Sequence, residues 1–80
     1  MAEIQVKLFA TLIRYRPEAA HGRPFPVPLV AGQDLRSVVA PLGLPEQAIQ
    51  YIFVNGRRAG LDYCPQPGDE VAIFPPLAGG

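Results

Sequence analysis

One cysteine, one histidine and one lysine are all this 80-residue chain contains of three chemically versatile residues. Cys64 alone cannot close an internal disulfide. With His21 as the only imidazole, no Cys/His cluster offers ligands to a metal. No apolar run approaches the ~20 residues of a membrane span. The opening Met1-Ala2-Glu3-Ile4-Gln5 lacks the basic and apolar regions of a secretory signal. An excess of charge is missing too. Seven basic residues balance seven acidic ones, so nothing pulls the chain in bulk toward nucleic acid or an anionic membrane. These absences predict a cytoplasmic chain with no metal, no nucleic-acid partner and no membrane partner. Histidines and paired carboxylates are too few for a self-sufficient catalytic site. The chemistry is expected to be done to this chain by partners.

What is abundant is punctuation: ten prolines and eight glycines, which predict many turns and short elements. Hydrophobic residues at 49% and charged residues at 18% describe a globular chain. A chain this short buries only roughly 60% of its unfolded surface, enough for one modest core. No repeat or linker divides it, so residues 1–80 are read as one domain with an extended tail over about 75–80.

Ile4-Gln5-Val6-Lys7-Leu8-Phe9 alternates with period two and reads as a strand, with Ile4, Val6 and Leu8 on one face and Gln5, Lys7 and Phe9 on the other. Ala10 to Gly22, with Arg14-Tyr15-Arg16-Pro17 and His21-Gly22, reads as a loop, and His21 as a solvated side chain. Pro24, Pro26 and Pro28 share one parity, so their missing donors all lie on one edge of an extended chain. That suits an outermost strand hairpinned to the first, with Phe25, Val27 and Leu29 inward. The competing reading is an unpaired polyproline-like connector. Asp34 can cap a helix whose Leu35, Val38, Val39 and Leu42 share one face, which Pro41 distorts and Gly43 closes. Pro45 to Gln50 suggests one further helical turn that begins at Pro45. Tyr51 to Val54, the Asn55-Gly56 turn and Arg57 to Ala59 form a short hairpin. Pro67-Gly68-Asp69 marks a turn before the last strand, Glu70 to Phe74. A lone helix crossing between strands of one sheet predicts an α+β roll.

The chain then runs Pro75-Pro76-Leu77-Ala78-Gly79-Gly80. Two prolines end the strand and stiffen the exit. Gly79 and Gly80 present a backbone that can thread a channel too narrow for any Cβ. The reactive group is then the carboxylate of Gly80, which suits activation by another protein. A frayed terminus is the alternative, but apolar Leu77 and the rigid prolines are unlike the usual polar fray.

The run from Gly68 through Gly80 resembles the C-terminal signature of the MoaD/ThiS family of ubiquitin-like sulfur carriers, closest to the small subunit of molybdopterin synthase. Asn55-Gly56-Arg57 is similar to that family's preceding turn, and Val6-Lys7-Leu8-Phe9-Ala10 to its opening strand. The resemblance implies the ubiquitin-like β-grasp, a mixed sheet of four to five strands with one main helix on one face. It also implies a cycle in which a ubiquitin-activating-enzyme-like adenylyltransferase uses ATP to adenylate Gly80. A sulfur donor protein then forms a thiocarboxylate, which a molybdopterin synthase large subunit uses in molybdenum cofactor biosynthesis. The chain itself would bind no cofactor and would not be catalytic alone. Pro75, Pro76, Leu77, Ala78 and Gly79 would thread the partner's active site. The Pro/Arg-rich stretch from Ala10 to Phe25 and the short helix depart from the family pattern. A thiamine-pathway or tungsten-cofactor carrier is therefore an alternative, and a modifier conjugated through Gly80 and a non-catalytic binding domain are two more. As the only lysine, Lys7 leaves a polymeric modifier one side-chain acceptor, which weighs against chain formation.

Strand parity places Phe9, Phe53, Ala72 and Phe74 on the sheet face away from the helix, an apolar patch expected to dock the partners. The alternative is that the loop from Ala10 to Gly22 covers it. Cys64 reads as a passive, partly buried thiol in preference to a nucleophile, since nothing nearby resembles a relay. Arg57 and Arg58 read as a solvated hairpin tip in preference to partner-pairing charges.

Overall fold

Alternation of apolar and polar residues builds five strands in this computed structural model, which describes residues 2–20 and 22–76. The expectations for His21, Leu77, Ala78, Gly79 and Gly80 lie outside the described residues. The strands are β1 (Glu3–Leu8), β2 (Phe25–Pro28), β3 (Tyr51–Val54), β4 (Arg57–Ala59) and β5 (Glu70–Phe74). They form one mixed sheet in the order β2-β1-β5-β3-β4. β5 runs parallel to β1 and antiparallel to β3, and both hairpins are antiparallel. One short α-helix, α1 (Leu35–Val39), covers one face. This is the ubiquitin-like β-grasp.

β2 is an edge strand, as its proline parity predicted. Phe25 and Val27 are buried while Pro26 and Pro28 are exposed. The Leu29 N–H, of the donor parity, reaches the Ala2 carbonyl at 3.0 Å. At the other edge, Asn55 (φ +52°) and Gly56 (φ +85°) take the two left-handed positions of a tight turn, which lets β3 return as β4 after two residues.

Asp34 caps α1, its carboxylate accepting from the Ser37 N–H at 2.9 Å. The Leu35 and Arg36 N–H groups of that first turn donate to the Tyr63 and Leu61 carbonyls at 2.8 and 3.0 Å. The segment after β4 thus satisfies donors a helix start leaves open. Pro41 lacks an N–H and its ring crowds the preceding turn, so the helix tightens into a 3-10 turn over Ala40–Leu42. Another 3-10 turn spans Glu46–Ala48, with Pro45 one position before its start instead of within it. Arg36 ties the two together, its Nε 3.1 Å from Glu46.

The inward parity of every strand meets α1 in one core. Ile4, Leu35 and Ile73 are fully buried there. Two sequence expectations need correction. The stretch after Phe9 is not an open loop but two 3-10 segments, Ala10–Tyr15 and Glu18–Ala20, and Leu12 enters the core at 1% exposure. Leu12 shields the end of the inner face that so short a helix leaves bare. Cys64 is exposed, not partly buried. The carbonyls on its N-terminal side face α1 and Pro65 packs inward, so its side chain is left outside, with Sγ 3.9 Å from the Gly32 carbonyl.

Candidate docking face and tail root

The root of the tail lies in the middle of the sheet, and two neighbours hold it. β5 lies between β1 and β3. Just past β1, the Phe9 N–H donates to the Ile73 carbonyl at 3.2 Å. From the other side, the Gln50 N–H donates to the Phe74 carbonyl at 2.8 Å. The ladder ends there, so the N–H groups that Pro75 and Pro76 lack are not needed. Pro75 is still buried against the body, and Pro76 is the first exposed residue of the exit.

Beside this root lies the outer face of the sheet. Phe9 stacks on Phe74 with ring centres 4.3 Å apart and planes 10° apart. Phe53 meets Phe74 edge-on at 5.8 Å. Such pairs are worth about 0.5–1.5 kcal/mol each beyond the area they bury. Ala72 sits between β1 and β3, paired with Lys7 on one side and Phe53 on the other. Phe9, Phe53, Ala72 and Phe74 are therefore brought together, all four half-buried. The segment over Ala10–Tyr15 sends Leu12 to the inner core and leaves these four partly accessible. A shallow groove of about 290 Å³ runs from Phe74 along Phe53, Ala72 and Lys7 to Gln5, Glu70 and the Asn55-Gly56 turn.

Charges frame the aromatics. The Lys7 ammonium lies 5.3 Å from the Phe9 ring centre, and the Arg58 guanidinium 4.7 Å from that of Tyr51. Arg57 and Arg58 are both exposed. Tyr51 was missed at the sequence level, although its parity with Phe53 was there to read.

A second cluster also escaped the sequence reading. The Asp69 carboxylate, 8% exposed, accepts from Asn55 Nδ2 at 2.9 Å and from the Gln66 N–H at 2.8 Å. Asn55 Oδ1 in turn accepts from the Glu70 N–H at 2.9 Å. The Tyr63 hydroxyl approaches Asp69 at 3.4 Å. Desolvation first, and then the neighbouring carboxylate, raises the Tyr63 pKa above its ordinary 10.0. This brace locks the β3–β4 turn to the start of β5, the end away from the tail. Among the described residues no group of three or more His, Cys, Asp or Glu comes together as a metal site. Nor is any helix long and apolar enough to cross a membrane.

Residues 1–78 match the family model described as Mut7-C ubiquitin. No curated protein matches the chain. Among solved structures, SAMP1 from Haloferax volcanii is 27% identical with a TM-score of 0.67, over 98% of this chain and 99% of that one. A second structure, of H. volcanii small archaeal modifier protein 1, is 26% identical with a TM-score of 0.68, over 96% and 100%. A family model and structural matches that span almost the whole length lead to one assignment: the chain belongs to the Mut7-C ubiquitin family, within the ubiquitin-like sulfur-carrier type its sequence resembles.

Proposed function

We propose that this chain is a sulfur carrier, with Gly80 as its C-terminal residue, that serves molybdopterin synthesis. An adenylyltransferase resembling ubiquitin-activating enzymes joins the Gly80 carboxylate to AMP, with release of pyrophosphate from ATP. A sulfide equivalent from a sulfur donor protein displaces AMP and leaves a thiocarboxylate. Transfer of that sulfur to a molybdopterin precursor, in the active site of a synthase large subunit, returns the carboxylate once water supplies the oxygen. The cycle consumes ATP, which fits a cytoplasmic carrier. The observation that carries the reading is the tail root. β5 is clamped from both sides up to Phe74, and Pro75-Pro76 follows at once. The body is a handle, and Phe9, Phe53, Ala72 and Phe74 are the surface by which partners grip it.

The experiment is intact-mass analysis of the chain after incubation with its activating enzyme, ATP and sulfur donor. A species heavier by one sulfur-for-oxygen exchange at Gly80 is expected. An unchanged mass, or a natural chain that continues beyond Gly80 without being trimmed, refutes the reading. A second reading has an observation of its own, the likeness to a small archaeal modifier protein. In it the activated Gly80 forms isopeptide bonds with lysines of other proteins. Gly-Gly remnants on lysines in a proteolytic digest would identify it.

A further inference from the structure

We infer that the outer sheet face selects a partner surface on which an apolar side chain is flanked by two acidic groups. This rests on the proposed docking of the activating enzyme and specifies the chemistry of its surface. One row crosses four strands in register: Lys7 on β1, Ala72 on β5, Phe53 on β3 and Arg58 on β4. The centre of that row is apolar and both ends are cationic. Three strand spacings separate the ends, about 14 Å between Cα positions. Neither cation pairs with a carboxylate within 4.0 Å among the described residues. Each lies over an aromatic ring instead, Lys7 over Phe9 and Arg58 over Tyr51. A ring contact limits where a long side chain can go and leaves its outer N–H donors for a second partner.

The rows on either side differ in chemistry, which sets the row on which the partner sits. Toward the tail the face is aromatic, with Tyr51 beside Phe74. Away from the tail it is acidic, with Gln5 beside Glu70. An acid-flanked apolar side chain seats over Ala72 and Phe53 with its carboxylates on Lys7 and Arg58. Shifted one row away from the tail, the apolar side chain would meet Glu70 and the carboxylates would lose both cations.

The test is binding of the full chain to the ubiquitin-activating-type adenylyltransferase of the same genome, measured by surface plasmon resonance from low to high sodium chloride. Affinity is expected to fall with salt, chiefly through the association rate. Lys7→Glu with Arg58→Glu should weaken binding about tenfold at low salt and flatten the salt dependence. Lys7→Arg with Arg58→Lys should restore both. Both side chains are exposed, so an unchanged thermal melt serves as the folding control. Salt-independent binding, full affinity after the double reversal, or no binding by the natural chain overturns the acid-flanked partner. The mass shift at Gly80, scored separately, decides the proposed function in each of those cases.

Discussion

Asn55 does two jobs that are seldom combined in one side chain. Its backbone takes a left-handed conformation that few residues other than glycine tolerate. Its amide then reaches forward to Asp69 and to the Glu70 backbone, which joins two segments of sequence that are separately recognisable as turns. Asn55→Asp keeps the turn preference but turns a donor into an acceptor facing a buried carboxylate. It is expected to destabilise the fold by about 1–3 kcal/mol, read from the urea midpoint at neutral pH. Asn55→Gly preserves the turn and loses only the brace, so a smaller loss should follow. Asn55-Gly56 was legible as a turn because local φ/ψ preference alone writes it. The reach to Asp69 was not, because it depends on how β3 and β5 align across 14 residues. Leu12 was missed for the same reason. Its partners come from distant strands, and nothing periodic surrounds it.

Among the elements, α1 and β2 show how far a few positions can carry a short chain. Five residues are too few for a helix to persist on propensity alone, so α1 depends on its cap and its packed face. The Asp34 carboxyl sits below its ordinary 3.8, chiefly because the Ser37 N–H donates to it, with Arg36 helping. A carboxylate with a lowered folded-state pKa stabilises above its unfolded value and loses that contribution as pH falls through the folded one. Asp34→Ala should therefore lower the melting temperature at neutral pH, and the gap to the natural chain should close below about pH 4. A gap independent of pH would mean that the charge plays no part.

β2 was readable because parity is a property of extended chains in general. Its prolines withhold N–H donors from solvent along the open edge. Pro26→Thr with Pro28→Thr restores two donors there without touching Phe25 or Val27. Light scattering should then show concentration-dependent association that the natural chain lacks. The strand register that unites Phe9, Phe53, Ala72 and Phe74 was likewise legible, since period two assigns faces without any knowledge of strand order. The cation–ring contacts that frame them needed the order itself, because Arg58 meets Tyr51 only once β4 lies beside β3.

At the scale of the whole molecule, the proposed function divides the work between a handle and a tail. The core lies on the α1 side, so the outer face can change to suit a partner without loss of core packing. Phe53→Ala should accordingly weaken capture by the activating enzyme far more than it lowers the melting temperature, a contrast that paired binding and melting curves would register. The sheet order has a mechanical corollary as well. β1 and β5 are parallel neighbours, so tension applied upstream of Glu3 and downstream of Phe74 drags them past each other lengthwise. Every rung between them bears the load together instead of opening in turn, as the rungs of a hairpin pulled apart from one end would. In an optical trap the domain should yield abruptly and at higher force through those attachment points than when pulled across the β3–β4 hairpin.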